Sequence, residues 1–238
     1  MKPANDRKSD FSAVILAGGL GTRLRSVVAD RPKIMADVNE RPFLTYLIEQ
    51  LARAGATEVT LCLGYMARYV QDYFGSSYGQ VRLQYSVEHE PAGTGGALAI
   101  ADPLLESDTV LVMNGDSYVD TDLSAFIDWY RDRQCSAGIL CVYAKDTSRY
   151  GSIEFGDNDA ITAFREKRGS KGPGWINAGI YMIARSEITT FPRGAKYSLE
   201  REFFPSLLGE ELAGFKASGR FIDIGTPESS AMASCFFE

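Results

Sequence analysis

The sequence predicts an α/β fold: a mostly parallel central sheet covered by helices, with a β-rich second half on the same sheet. Three observations carry that prediction. Short apolar strands alternate with amphipathic helical stretches through the first half. Strand-like segments dominate the second half, with a turn signal between two of them. Neither a Pro/Ser-rich linker nor an internal repeat divides the 238 residues, a length suited to one large domain.

Composition narrows the class. With 45% apolar and 24% charged residues, the chain falls among ordinary globular proteins. No run approaches the roughly 18 apolar residues of a membrane-spanning helix. Residues 1–10, MKPANDRKSD, are polar and lack an apolar signal core, so a disordered leader is expected before a domain at 11–238. Without an export signal, the expected location is the cytoplasm. The net charge of −6 argues against a nucleic-acid surface, which needs a basic face; a few local cations still suffice for a small anion. Cys62, Cys135, Cys141 and Cys235 show no CxxC spacing and read as reduced thiols. His89 is the only histidine, which excludes His-rich zinc sites and leaves a Ser-His-Asp triad a single candidate. No role is assigned to it.

The elements follow in order. Residues 13–16 form a short buried strand, and Pro32 and Pro42 interrupt any long helix before residue 43. Phe43, Leu44, Leu47, Ile48 and Leu51 then repeat at helical spacing, and Gly55 ends the run. A strand at 58–63, a helix at 65–74 stopped by Gly75, and a strand at 81–87 come next. A loop at 90–95 leads to a short helix and to a fourth strand at 109–113. Leu123, Phe126, Ile127 and Tyr130 mark another amphipathic helix. Strands are expected at 137–143, 152–155, 160–164 and 175–183, with a turn at 156–159. A helix at 199–208, broken or kinked at Pro205, and two short strands near Phe215 and Phe221 complete the chain.

The stretch ILAGGLGTRLRS at residues 15–26 places three glycines at a strand exit and two arginines behind them. It is not a Walker A loop, because no Gly-Lys-Ser/Thr follows. Nor does it fit the dinucleotide fingerprint: Leu24 stands where the third glycine belongs. A lone GxG is weak, but GGxGTR followed by Asp30-Arg31-Pro32-Lys33 is stronger. Glycines let backbone N–H groups approach phosphate oxygens, and the cations compensate charge.

AVILAGGLGTRL with RPKIM resembles the signature of the sugar-phosphate nucleotidyltransferases. EPAGTGGAL, VMNGDSYVD, FREK, WINAGIY and FIDIGTPE match that family's later motifs in order, so the likeness covers nearly the whole chain. Within the family, the chain resembles the guanylyltransferases for D-glycero-α-D-manno-heptose 1-phosphate. Ile34 stands where the family often has proline. The resemblance implies a single-domain Rossmann-like nucleotidyltransferase fold. It also implies an activity: GMP passes from GTP to a sugar 1-phosphate by in-line attack on the α-phosphate, and pyrophosphate leaves. A mannose 1-phosphate or another sugar 1-phosphate is the alternative acceptor. No repeat domain for a second acyltransferase activity is expected.

Such a transfer asks the protein to hold two polyanions together and neutralise growing charge. Arg23 and Lys33 are the expected catalytic cations on the triphosphate side. Leu16, Gly18, Gly19, Gly21 and Thr22 are the expected triphosphate loop. Gly93, Thr94 and Gly95 are expected beside the base, where the glycines would admit a flat ring. Glu90 is the carboxylate expected to accept from guanine N1–H and its amine together; uracil and thymine offer one such N–H. Other bases are compatible with an acid there. The resemblance gives the acceptor pocket Asn114, Gly151, Glu166, Lys167, Asn177 and Gly179, with Glu166 on sugar hydroxyls and Lys167 on the sugar phosphate.

Asp116 and Asp223 both follow an apolar strand, the place where open α/β sheets put ligands. Two carboxylates suit one Mg²⁺, and the resemblance places the metal there. Asp120-Thr121-Asp122 offers a rival reading, the metal motif of a nucleotide-sugar glycosyltransferase. It precedes the helix at Leu123, so a helix cap is the simpler reading. A non-catalytic nucleotide-sugar sensor would be expected to lack Lys33 or Asp116, and both are present. A homodimer is expected from the frequency of two-fold assemblies among soluble enzymes.

Overall fold

The computed structural model describes residues 9–19, 31–133, 135–165 and 172–238. The first strand, β1 (Ser12–Ala17), sends Val14 and Ile15 to opposite faces, both fully buried. That period of two repeats along the neighbouring parallel strands. Past residue 30, a 3₁₀ turn at Lys33–Met35 and a small hairpin, β2 (Asp37–Val38) and β3 (Arg41–Pro42), lead into α1 (Phe43–Arg53). The stripe expected on α1 is buried in full, from Phe43 to Leu51. Gln50 is buried as well, because its Nε2 donates to the carbonyl of Val119 at 2.7 Å.

Next come β4 (Glu58–Leu63), α2 (Ala67–Phe74), β5 (Ser77–Tyr78) and β6 (Val81–Val87). They are followed by α3 (Gly93–Ala101), β7 (Thr109–Asn114), β8 (Ser117–Val119) and α4 (Leu123–Arg131). The second half holds β9 (Ala137–Ala144), β10 (Ser152–Phe155), β11 (Ala160–Arg165), β12 (Gly174–Ala184) and α5 (Arg185–Thr189). Then come α6 (Phe204–Ser206), β13 (Gly209–Ala217), β14 (Phe221–Asp223), α7 (Pro227–Ala231) and α8 (Ala233–Phe236).

Among the described residues, ten strands form one sheet in the order β10-β11-β13-β9-β12-β7-β1-β4-β6-β5. The run β7-β1-β4-β6 is parallel throughout. On its other side β12 joins β7 antiparallel, and β9 pairs with β13 parallel. Helices cover both faces. Side chains of α1, α2 and α4 pack into one buried cluster, and those of α3, α5 and α6 into another. The chain leaves β1 toward β4 on one side and later returns to β7 on the other. That reversal opens a crevice at the carboxyl ends of β1 and β7.

Four expectations need correction. The second helix starts at Ala67, because Met66 adopts a left-handed φ of 56°. The helix after the 90–95 loop begins at Gly93, inside that loop. The stretch 199–208 is not one helix: a π-turn at Leu199–Phe203 passes into α6. Pro205 lacks the N–H that would continue an α-helix. The strand near Phe215 is nine residues long and lies inside the main sheet. Its Gly-Glu-Glu start conceals it, since exposed polar residues there break the strand pattern. Of the expected leader, all but Ser9 and Asp10 lies outside the described residues.

Candidate active site

The parallel register sets the floor of the site. Leu16 pairs with Asn114 across β1 and β7, and the N–H of Gly115 donates to the carbonyl of Leu16 at 2.8 Å. The next residue, Asp116, therefore emerges at the crevice. The strand β14 pairs antiparallel with β8, which sets Asp223 opposite Ser117. The N–H of Ile224 donates to the carbonyl of Asp116 at 2.8 Å. One small ribbon thus brings two acids 107 positions apart in sequence to the same spot.

Each acid is matched by a cation. Lys33 Nζ donates to Asp116 Oδ2 at 2.7 Å, with Lys33 largely buried and Asp116 open to the cleft. Arg149 Nη2 lies 3.3 Å from both oxygens of Asp223. The Tyr150 hydroxyl donates to Asp223 Oδ2 at 2.7 Å, and Gly225 N–H to Oδ1 at 2.9 Å. Burial and the Asp223 charge push the Tyr150 hydroxyl far above its ordinary range, so it stays a donor.

These groups line a cleft of about 790 Å³. Of the residues singled out from sequence, Leu16, Gly18, Gly19, Lys33, Gly93, Thr94, Asn114, Asp116, Gly151, Asn177, Gly179 and Asp223 line it together. Gly21, Thr22, Arg23, Glu166 and Lys167 lie outside the described residues. Glu90 and Gly95 do not line it. Glu90 is exposed in the loop beyond β6. The carboxylate from this region that does line the cleft is Glu88, the first residue past the end of that strand. Its Oε2 accepts the N–H of Ala92 at 3.1 Å, and it lies against Gly18. Burial raises the Glu88 carboxyl above its ordinary value.

The glycines of α3 admit a close approach by the chain itself. The carbonyl of Tyr197 accepts the N–H groups of Gly95 and Gly96 at 2.9 and 3.1 Å, capping the helix start. A Cβ on Gly93 would meet that carbonyl oxygen at 2.6 Å, and one on Gly95 the Tyr197 ring at 2.6 Å. The close neighbour of this motif is the chain itself. On β12, Gly179 has a φ of 78° within a bulge, and a Cβ there would meet Ser117 Oγ at 2.7 Å. The bulge turns Asn177 so that its Oδ1 accepts the Gly179 N–H at 2.8 Å and its Nδ2 donates to the Tyr181 hydroxyl at 2.9 Å.

Arg149 and Glu200 line the cleft without having been singled out from sequence. Arg149 was one residue from a usable signal, the Tyr150-Gly151 pair. Glu200 sits on the π-turn, and only its tertiary neighbours reveal it.

The rival acidic motif is accounted for otherwise. Asp122 caps α4, its Oδ1 accepting Ser124 N–H at 2.9 Å, and Asp120 pairs with Arg220 at 3.3 Å. Neither lines the cleft. Among the described residues, no helix is long and apolar enough to cross a membrane.

One cleft thus gathers a pair of acids and a pair of cations. Cations beside backbone N–H groups at strand ends suit a phosphate-bearing ligand.

Known proteins similar to this chain include sugar-1-phosphate guanylyltransferases. A D-glycero-α-D-manno-heptose 1-phosphate guanylyltransferase of Campylobacter jejuni is 36% identical over 226 residues, spanning 92% of this chain and 96% of that protein. A mannose-1-phosphate guanylyltransferase of Mycobacterium tuberculosis is 35% identical over 93% of this chain and 63% of its own length. The crystal structure of HddC from Yersinia pseudotuberculosis complexed with GMP-PN superposes with a TM-score of 0.85 at 36% identity, covering 96% of this chain and all of that one. The nucleotidyl transferase family matches residues 12–238, and the chain belongs to that family.

Proposed function

We propose that the chain transfers GMP from GTP to D-glycero-α-D-manno-heptose 1-phosphate, releasing pyrophosphate and forming GDP-heptose. The observation that carries this reading is the single cleft in which strand ends of the parallel half face β12 across Lys33, Asp116 and Asp223. The guanylyltransferase relatives support GTP as donor and a manno-configured sugar 1-phosphate as acceptor. The Mycobacterium relative keeps mannose 1-phosphate as a second acceptor reading.

Members of this family use a divalent metal. Asp116 and Asp223 fit one: they are hard oxygen donors from two chain segments fastened by the Ile224 to Asp116 hydrogen bond. Mg²⁺ takes one or two protein carboxylates and leaves its other positions to phosphate oxygens and water. Bound there, it would neutralise negative charge as the α-phosphate is attacked. Among the described residues, no group of three or more His, Cys, Asp or Glu offers an alternative site.

The chain's own residues supply the rest. Lys33 carries positive charge to the reacting phosphate, and Arg23 is assigned to the leaving pyrophosphate. Gly19 leaves open space for phosphate at the end of β1, and Gly18 makes room for the Glu88 carboxylate. Glu88 replaces Glu90 as the group assigned to accept from both guanine N–H donors, because at the end of β6 Glu88 lines the cleft and Glu90 does not. Gly93 and Thr94 flank the base. Asn114, Gly151, Asn177 and Gly179 form the acceptor wall, and Glu166 and Lys167 are assigned to the sugar and its phosphate. Holding both reactants in line is the main contribution of such a site.

The test is a matrix of four nucleoside triphosphates against sugar 1-phosphates, read as pyrophosphate. GTP with the heptose phosphate should give the fastest release. Pyrophosphate released fastest with UTP or dTTP rejects the guanine assignment. Release of free GDP from a nucleotide sugar would support the glycosyltransferase class instead.

A further inference from the structure

Glu200 has no part in the scheme above, yet the two halves of the cleft meet on its carboxylate. From the nucleotide half, the Thr94 hydroxyl donates to Oε2 at 2.7 Å, and Ser198 Oγ donates to the same oxygen at 3.0 Å. From the acceptor half, the Tyr181 hydroxyl donates to Oε1 at 3.2 Å. Tyr181 is fully buried, and burial holds its hydroxyl well above the ordinary range. The same hydroxyl receives Asn177 Nδ2 at 2.9 Å and Asn114 Nδ2 at 3.4 Å. Thr94 is itself fixed, its Oγ1 accepting the Leu199 N–H at 2.9 Å.

A carboxylate offers about four acceptor sites, and three donors from the protein leave capacity for one more. Glu200 lines the cleft, so that capacity is available to a ligand. A fixed anion in a site for two polyanions repels their phosphates. It suits a neutral donor, and a sugar hydroxyl is one. Two sugars enter the proposed reaction, the ribose of GTP and the acceptor ring. The hydrogen bonds from Oε1 run through Tyr181 to Asn177 and Asn114, which belong to the acceptor wall.

We propose that Glu200 is a specificity residue that accepts a hydrogen bond from a ring hydroxyl of the acceptor sugar, a role that rests on the sugar 1-phosphate reading above. Thr94, Ser198 and Tyr181 hold the carboxylate in place before the sugar arrives, so little ordering is left for binding.

The test compares wild type with Glu200→Gln on D-glycero-α-D-manno-heptose 1-phosphate and its 2-, 3- and 4-deoxy analogues. Glu200→Gln should lower kcat/KM for the parent sugar about tenfold, because a charge-assisted bond becomes a neutral one. The loss should fall on the KM of the sugar phosphate and leave that of GTP in place. With one of the three analogues, the penalty should shrink to within about twofold, the sign of a direct pairwise interaction. Tyr181→Phe, which keeps the carboxylate and removes one donor to it, should show the same analogue dependence at smaller size. An equal penalty with the parent and all three analogues overturns the proposal and makes Glu200 structural. A penalty that disappears with 2′-deoxy-GTP overturns it in favour of ribose. Wild-type turnover of the parent sugar reports separately on the guanylyltransferase reading.

Discussion

The two banks of the cleft hold their polar groups by different means. On the nucleotide bank, the ends of β1 and β6 present residues through parallel backbone register, and Leu16 and Glu88 follow from where strands stop. On the acceptor bank, the antiparallel strand β12 is bulged, and side chains do the placing: Asn177, Tyr181 and Glu200 are joined in one network. Register is hard to perturb by one substitution. A side-chain network with a left-handed glycine at its centre is easier to disturb. Substitutions on the acceptor bank should therefore move stability and sugar recognition together, and those on the nucleotide bank should change recognition with the fold intact.

The largest effect is expected where the banks join. Asp116→Asn and Asp223→Asn keep shape and remove charge, and losing a charged ligand at the reacting phosphate should lower turnover roughly a thousandfold. Turnover measured against Mg²⁺ and Mn²⁺ concentration should show partial recovery at high metal. A variant that keeps wild-type turnover at low metal would remove that acid from the site.

Next is Gly179→Ala. An L-residue in the left-handed region costs about 1–2 kcal/mol. The added methyl must also displace Ser117 Oγ at 2.7 Å or Asn114 Nδ2 at 2.8 Å. At about 2–4 °C per kcal/mol for a chain of this size, Tm should fall by several degrees. The KM of the sugar phosphate should rise while that of GTP holds, as measured by steady-state kinetics beside a melting curve. Equal changes in both KM values would erase the distinction between the banks.

How much of this was legible in the sequence follows the same division. The parallel strands and α1 were readable because burial on both sheet faces and on one helix stripe leaves a period in the residues themselves. Asp116 and Asp223 were readable as candidates because each stands at the end of an apolar strand with a glycine within two positions. Glu88 was hidden by its neighbour Glu90. Both follow a strand, and the choice turns on where β6 ends and on the Ala92 N–H that fixes Glu88. Glu200 could not be read at all, because its partners Thr94 and Tyr181 are distant in sequence and their contact is tertiary. The GTGG run was readable as a close approach, and the approach seen within the chain is that of Tyr197, by its backbone at Gly93 and its ring at Gly95.

Glu88→Gln tests the nucleotide bank alone. It should reduce the preference for GTP over the other triphosphates about tenfold, since one acceptor becomes a donor. Burial raises the Glu88 pKa above 4.5, so this group protonates before an ordinary carboxylate as pH falls. The protonated acid cannot accept from both guanine donors. The KM for GTP should therefore rise on acidification at a higher pH than an ordinary carboxylate would give, and Glu88→Gln should flatten that rise. Tm should change little in Glu88→Gln, unlike Gly179→Ala. The same acid profile in wild type and variant would place the base elsewhere.

The smallest effect is expected at Asp122, and its smallness is the point. Asp122 and Asp116 are both acids at the end of the β7–β8 region, six positions apart. Asp116 faces the cleft beside Lys33, whereas Asp122 turns to the start of α4 and accepts the Ser124 N–H at 2.9 Å. Asparagine caps a helix about as well as aspartate, so Asp122→Asn should stay within about 0.5 kcal/mol of wild type in stability. Turnover and its metal dependence should also be unchanged, because Asp122 does not line the cleft. Asp122→Ala removes the cap and should cost about 1 kcal/mol, again without a change in metal dependence. The measurement is denaturant unfolding beside turnover against Mg²⁺ for each variant. An Asp122→Asn that folds but loses turnover, beside an Asp223→Asn that keeps it, would move the metal from the joint between the two banks to the Asp120-Thr121-Asp122 loop. That outcome would also transfer the chemistry to the glycosyltransferase class, because a metal there would no longer sit between the two substrates of a nucleotidyl transfer.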